Sequence, residues 1–341
     1  MTDLVSLRML STHLGLTDGT VSRALNDYPD IAEKTRKRVK AAALELGYQP
    51  NPTARRLATG AAECIAFVLP AKSNHANEPF VGELLSGLSN TMLKRGWDLN
   101  ITSATSIEDE ISQFKRLVST KRVSGFVVSR TLSDDPRVAA LKSLGVPFIT
   151  HGRTRNSDDH AWFDVDNHAA FQTAYQHLTR LGHRDIAYIG GPKKYNFAQL
   201  RFAGFQQALR ESDQQPRNEW IEESRLTLAD GEQAMLRILD SGTHPPSAVL
   251  CITDMVAIGA MRAVHSRGLV PGKDISFIGY DGLAVGGYTI PSLTTMTQPL
   301  VEAGEIIGSM LMDVINGKAP DERQLLVDAK LVQRDSDVPW K

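Results

Sequence analysis

The chain has 341 residues, of which 42% are hydrophobic and 23% charged, with 38 Lys/Arg against 39 Asp/Glu and a net charge of −1. That length suits two or three domains, and that composition excludes a disordered, collagenous or disulfide-framework chain. No apolar run approaches the ~20 residues that span a bilayer, and the opening Met-Thr-Asp-Leu lacks the basic and apolar parts of a signal peptide, so a cytoplasmic protein with no membrane partner is expected.

In chain order, the first elements are short helices. Leu7–Leu14 reads as a helix, Gly15 as a tight turn, and a second helix begins after Thr17, whose hydroxyl suits an N-cap. Leu7, Leu10, Leu14, Leu16, Val21 and Leu25 recur at helical spacing and would share one small core. Two short helices about a glycine turn fit either a helix-turn-helix, whose second helix enters the DNA major groove, or an ordinary helical hairpin. A third helix is written over residues 33–46 and stops at Gly47. Ala32 offers no cap side chain there, and Asp30 is the candidate substitute. Residues 1–60 carry nine Lys/Arg and six Asp/Glu, while the remainder is net acidic, as a DNA-binding head on a neutral-to-acidic body would be. Residues 51–58 have a helical pattern too short to be stable alone.

From Glu63 short apolar runs alternate with amphipathic segments. Strands are predicted at 64–69, 99–102, 125–128 and 147–150, then at 186–190, 248–252, 275–279 and 294–297. Helices are predicted at 81–95, 107–119, 138–144, 169–181, 198–210, 231–239, 255–267 and 300–315. This alternation predicts parallel α/β structure with both sheet faces covered, in two similarly built lobes. Ligands of such sheets bind beyond the carboxyl ends of the strands. The loops there hold Phe80, Arg130, His151, Arg153, Arg201, Thr253, Asp254, Asp281 and Gln298.

Catalysis has little support. There is no G-x-S-x-G elbow, phosphate-loop word or zinc spacing. His183, between Gly182 and Arg184, reads as a structural cap. Cys64 and Cys251 lie in separate apolar runs and read as buried free thiols. Asp164 and Asp166 alternate on a strand-like run, which puts them on one face at a structural or ligand-contacting position. No catalytic residue, metal or cofactor is therefore expected.

The words Gly19-Thr-Val-Ser-Arg-Ala-Leu-Asn26, Thr35-Arg36, Leu46-Gly-Tyr48, Pro50-Asn-Pro52 and Ala54-Arg-Arg-Leu57 occur in that order. They are followed by Gly182-His-Arg184, Ile189-Gly-Gly-Pro192, Arg201-Phe-Ala-Gly-Phe205, Thr253-Asp254, Gly279-Tyr-Asp281 and Pro291-Ser-Leu-Thr-Thr295. With these words the chain resembles, over nearly its whole length, the lactose-repressor/galactose-repressor (LacI/GalR) family of bacterial transcription regulators.

The resemblance implies a small all-α helix-turn-helix head at 1–47, a hinge helix at 48–61, and a two-lobed periplasmic-binding-protein-like body at 62–341. Lobe 1 would comprise 62–163 and 293–323, and lobe 2 would comprise 164–292 and 324–341, with crossings near Asp164, Ser292 and Gln324. It implies a repressor of carbohydrate-utilisation genes that binds a pseudo-palindromic double-stranded operator as a homodimer. A small sugar between the lobes would control that binding. Thr17, Asp18, Gly19, Thr20, Ser22, Arg23 and Asn26 would face DNA, with Leu57 wedged in the minor groove and Ala54 and Arg55 beside it.

Arg201, Thr253, Asp254 and Asp281 are the polar effector candidates by matched position. Phe80 and Trp162 are candidate ring-stacking surfaces, with core packing as the alternative role. Arg130, His151, Arg153 and Gln298 follow from loop position, and the arginines keep a phosphorylated or non-sugar effector open. Tyr28-Pro-Asp-Ile31 and residues 162–167 resemble a subgroup that implies an α-glucoside. The helix at 81–95 and the segment near 280–288 are the implied dimer surface, and the end at Lys341 without a heptad extension implies a dimer rather than a tetramer. Two departures stand out: Asp18 and Gly19 sit where family members more often carry larger or hydrogen-bonding side chains. An activator or dual regulator is the alternative within this class. A sugar-binding receptor and a sugar-modifying enzyme are the alternatives outside it.

Overall fold

A computed structural model describes residues 5–48, 62–70, 79–215, 217–242 and 244–340. The chain divides into two compact units, Met1–Ala62 and Glu63–Lys341. The expected hinge, apart from Tyr48, lies outside the described residues, as do Ala54, Arg55 and Leu57.

The first unit contains α1 (Leu7–Leu14), α2 (Asp18–Leu25) and α3 (Glu33–Glu45). Their apolar faces meet at Leu10, Leu14, Val21, Ala24, Val39, Ala42 and Ala43, all buried. Gly15 closes α1 in the left-handed conformation at φ +65°, which a side chain would oppose. Thr17 caps α2 by accepting from the Thr20 amide at 3.2 Å. Ala32 starts α3 with no side-chain cap. Asp30 does not replace it, because its carboxylate is drawn to Arg23 at 2.5 Å.

The second unit holds two six-stranded sheets. In lobe 1 the strands are β1 (Cys64–Pro70), β2 (Asp98–Ala104), β3 (Gly125–Ser129), β4 (Phe148–His151), β5 (Ala161–Val165) and β11 (Gln324–Val327). They run parallel in the order β11-β5-β4-β3-β1-β2. Lobe 2 is built from β6 (Ile186–Gly190), β7 (Ile221–Glu223), β8 (Ala248–Cys251), β9 (Ser276–Asp281), β10 (Thr294–Thr297) and β12 (Lys330–Val332). Their order is β12-β10-β9-β8-β6-β7, parallel except where β12 closes the edge against β10.

Side chains of a strand alternate between faces, so each buried sheet feeds two cores. Ile65, Phe67 and Leu69 pack under α4 (Pro79–Lys94) and α11 (Leu300–Ile315). Ala66 and Val68 pack under α5 (Ile107–Ser119) and α6 (Pro136–Leu144). In lobe 2, Ala187 and Ile189 meet α9 (Leu228–Leu239) and α10 (Asp254–Ser266). Ile186 and Tyr188 meet α7 (Asn167–Arg180) and α8 (Asn196–Glu211).

The lobe crossings fall later than expected. β10 pairs with β9, so the second crossing lies beyond Thr297 rather than near Ser292. β11 pairs with β5, so the third lies beyond Val327 rather than near Gln324. The first follows Val165, where β5 ends and α7 begins. Lobe 2 is finished by the tail. His183, buried, bonds the Ser247 hydroxyl at 3.0 Å and the Val338 carbonyl at 2.9 Å, so it ties the C-terminal segment down rather than capping a helix.

Helices on one sheet face meet almost backbone to backbone. A Cβ on Gly87 of α4 would lie 1.9 Å from the Val301 carbonyl oxygen of α11, and one on Gly304 of α11 would lie 2.3 Å from that of Leu84. Gly82, one turn earlier on α4, has nothing within 4 Å. Overpacking costs about 1–3 kcal/mol or more, whereas Gly→Ala at an open helical site gains ~0.5–1 kcal/mol. Denaturant unfolding of the full chain should therefore show Gly87→Ala destabilised by at least that first amount and Gly82→Ala slightly stabilised. Equal effects would refute the close crossing.

Candidate functional site

A cleft opens where the carboxyl ends of both sheets meet, the usual place for a ligand in parallel α/β structure. Lobe 1 contributes Phe80, Arg130, His151 and Arg153, and lobe 2 contributes Arg201, Thr253, Asp281 and Gln298. These are eight of the ten effector candidates.

The other two are placed elsewhere. Asp254 is fully buried behind the wall at the start of α10, where its carboxylate accepts from the Leu283 amide at 2.7 Å and the Thr295 hydroxyl at 2.6 Å. It fastens the β9 and β10 ends instead of facing the cleft. Trp162 turns its indole N–H to the Ser157 carbonyl at 3.0 Å, and its ring supports the Arg153 guanidinium at 5.5 Å. It acts through Arg153 rather than as a lining surface. Phe197, Asp164 and Asn167 line the cleft and were not among the candidates. Only the alternation of Asp164 on its strand signalled it. Asp166, expected on the same face, instead caps α7 through the Ala169 amide at 2.9 Å.

Arg201 is the organising cation. Its guanidinium lies 3.5 Å over the Tyr280 ring and 4.8 Å from the Phe197 ring centre. Nε donates to Asn167 Oδ1 at 2.7 Å and Nη1 to the Ile252 carbonyl at 2.5 Å. Across the cleft, His151 stacks between Phe80 at 5.5 Å and Phe163 at 6.1 Å. Burial, and then the Arg201 and Arg130 charges, lower its pKa to about 4, so it offers a neutral imidazole at neutral pH.

Asp281 sits at φ +118°, a strained conformation for a residue with a side chain. Its carboxylate accepts from Gln298 Nε2 at 2.8 Å. Burial raises its pKa to about 8, against the lowering charge of Arg201. Burial also raises Asp164, although Arg153 Nε bonds it at 2.9 Å. Planar donors and acceptors beside aromatic faces suit a polyhydroxylated ring.

In the head, Val21 and Ala24 are buried, while Thr17, Asp18, Gly19 and Arg23 lie exposed on α2, with Thr20, Ser22 and Asn26 half-buried beside them. Asp18 accepts a bond from the Ser11 hydroxyl, which holds it on α1. Arg23 stacks 5.3 Å over the Tyr28 ring as it pairs with Asp30. Lys40 bonds Asp27 at 2.6 Å. Among the described residues, no group of three or more His, Cys, Asp or Glu could hold a metal, and no helix is long and apolar enough to cross a membrane.

A helix-turn-helix unit and a two-lobed body with a cleft at its strand ends define a DNA-binding regulator. Residues 14–51 match the family model described as bacterial regulatory proteins, lacI family, and residues 175–336 match the periplasmic binding protein-like domain. The HTH-type transcriptional regulator AglR of Rhizobium meliloti (strain 1021) is 36% identical over 340 residues, covering 98% of this chain and 95% of that protein. The HTH-type transcriptional regulator RafR of Escherichia coli is 33% identical over 326 residues, covering 94% and 95%. Among solved structures, the lac repressor dimer bound to operator and the anti-inducer ONPF superposes with a TM-score of 0.84 at 27% identity, over 98% of this chain and 100% of that one. The transcriptional regulator CelR–cellobiose complex does so at 0.76 and 26%, over 97% and 99%. The chain belongs to the LacI/GalR family of DNA-binding transcriptional regulators.

The Asp281 carboxyl makes the body pH-sensitive in a defined direction. Its pKa when folded lies above the ~3.9 of an unfolded aspartate. The folded state therefore holds a proton that the unfolded state has released, and stability falls as pH rises towards about 8. His151, shifted the opposite way, opposes this only below about pH 6.5. Urea unfolding between pH 6.5 and 8 should show stability declining with pH, and Asp281→Asn should flatten the decline. An unchanged slope in that variant would contradict the assignment.

Proposed function

We propose that this regulator is a repressor of carbohydrate-utilisation genes and that a small sugar in the cleft controls its grip on the operator. The observation that carries this reading is the lining itself. Arg201 and Asp281 on lobe 2 face the Phe80–His151 stack on lobe 1 across the cleft. A relative of the same architecture has been solved with cellobiose, which supports an effector of disaccharide size. An α-glucoside is the proposed class. A phosphorylated or anionic effector is the second reading, favoured by the three arginines, Arg130, Arg153 and Arg201, that line the cleft.

The exposed face of α2 is the proposed base reader, with Thr17, Asp18, Gly19, Thr20, Ser22, Arg23 and Asn26 on or beside it. Arg23 would have to exchange Asp30 for a base edge or phosphate, and Asp18 would have to exchange Ser11. Ala54, Arg55 and Leu57 remain the proposed minor-groove contacts. A pseudo-palindromic operator calls for a two-fold dimer, the state in which the operator-bound lac repressor relative was solved. Tyr280 is fully buried beneath Arg201, so any contact from its segment must come from the exposed Val285, Tyr288 and Ile290. Leu93 of α4 is exposed as well.

Calorimetric titration of the full chain with maltose, cellobiose and glucose 6-phosphate separates the readings. Maltose alone should bind if the effector is an α-glucoside, and operator affinity at fixed salt should fall as it binds. Arg201→Ala should weaken that response about 10–100-fold, the equivalent of ~1.5–3 kcal/mol for a charged hydrogen bond. A response at the wild-type sugar concentration would overturn the role of Arg201.

A further inference from the structure

Asn196 is the first residue of α8, the helix that also carries Arg201, and none of its bonds outside the helix stays within lobe 2. Its amide donates to the Thr131 carbonyl at 2.9 Å. Its side-chain Nδ2 donates to the Arg153 carbonyl at 2.9 Å, and its Oδ1 accepts from the Ser133 hydroxyl at 3.1 Å. Thr131, Ser133 and Arg153 all belong to lobe 1. Beside them, Leu132 and Tyr195 form an antiparallel bridge between the lobes. The first amides of a helix have no partner within it. Here one of them is satisfied by the opposite lobe.

The lobe 1 rim that receives Asn196 is held rigidly. Arg137, buried, donates to both oxygens of Glu110 at 3.2 Å and to Asp135 at 2.8 Å. The same guanidinium donates to the Arg130 carbonyl at 2.9 Å, and Asp135 accepts from the Leu132 amide at 3.0 Å. Arg130 is kept at φ +55° beneath this clamp. Thr131 Oγ1 bonds the Arg153 carbonyl at 2.8 Å, which joins the two segments of the rim.

A second route links the same two parts through the lobe crossing. Arg201 bonds Asn167, Asn167 Nδ2 donates to Asp164 Oδ1 at 3.1 Å, and Arg153 Nε donates to Asp164 Oδ2 at 2.9 Å. Arg153 then returns to Asn196. The circuit begins and ends on α8, five residues apart, and passes through both lobes.

We infer that Asn196 is a positioning residue for the allosteric response: it latches α8 to the lobe 1 rim and so sets the inter-lobe angle at which Arg201 meets a ligand. Three hydrogen bonds at one small side chain and its own amide hold the cleft mouth. Opening the cleft must break them together, because a rigid α8 cannot release one and keep the others. The latch is distinct from the ligand contacts, since Asn196 does not line the cleft. The inference rests on the cleft being the effector site, but its test requires no effector.

Spin labels on Ser119→Cys of lobe 1 and Arg210→Cys of lobe 2, both exposed, report the angle by pulsed dipolar spectroscopy of the full chain in a Cys64→Ser background. Asn196→Ala should add a longer-distance population and leave the thermal midpoint near that of the parent. Ser133→Ala should shift the distances the same way but less. The double variant should go no further than Asn196→Ala alone, because both remove one latch. Asn196→Asp should open the cleft at least as far as Asn196→Ala, since a carboxylate oxygen would then face the Arg153 carbonyl. Distance distributions in Asn196→Ala and Asn196→Asp that superimpose on the parent would overturn the latch. So would a lowered midpoint with the distances unmoved, which would mark a purely structural residue. Failure of every sugar to bind would instead count against the effector reading and leave this result standing.

Discussion

Burying the Arg201 guanidinium at the junction of two lobes sets the terms for everything around it. An arginine stays charged in a protein, so it must be surrounded by acceptors and π-faces rather than neutralised. Asn167 and the Ile252 carbonyl supply the acceptors, and Tyr280 and Phe197 supply the faces. Each of those partners belongs to a different element of lobe 2: α7, the end of β8, the end of β9 and α8. Fixing one cation therefore fixes the mutual arrangement of four elements. The same charge lowers the pKa of His151 on the opposite lobe and opposes the burial-driven rise of Asp281. The Arg201 charge thus acts on groups of both lobes, beside the larger effect of their burial.

Flanking this centre are two kinds of close approach that only particular residues allow. Gly87 and Gly304 let α4 and α11 pack backbone to backbone over lobe 1, and the Gly204 and Gly259 crossings do the same in lobe 2. In these three helix pairs the backbones leave no room for an added side chain. Asn167, at the first crossing, is bonded both to Arg201 and to Asp164. Arg201 is thereby joined through one side chain to the crossing between the lobes.

How much of this could be read from residues alone depended on the length of the signal. Long amphipathic helices such as 300–315 and 107–119 were legible because apolar residues recur over three or four turns. The edge strands β7, β11 and β12 were not, since three or four half-exposed residues carry no readable alternation. β5 was legible only as a strand-like run around Asp164 and stayed outside the predicted strands, because Asp164 interrupts its apolar stretch to pair with Arg153. The misplaced crossings follow from the same gap, as the pairing of β10 with β9 and of β11 with β5 is a tertiary fact. Strand ends located eight cleft residues correctly in space but could not tell Asp254, turned inward to Thr295, from Asp281, turned outward. Asn196 gave no signal, because a latch between lobes has no motif.

In the proposed function one cleft ligand and one DNA site act on the same two-state body. Coupling of that kind is reciprocal: the factor by which a ligand changes operator affinity must equal the factor by which the operator changes ligand affinity. The decisive measurement is the dissociation constant of maltose for the free protein and for the protein saturated with operator, at one salt concentration, beside the operator affinity with and without saturating maltose. Maltose should bind more weakly in the operator complex, by the same factor as maltose weakens operator binding. Identical maltose affinity in the two states, or no maltose binding in either, would contradict it.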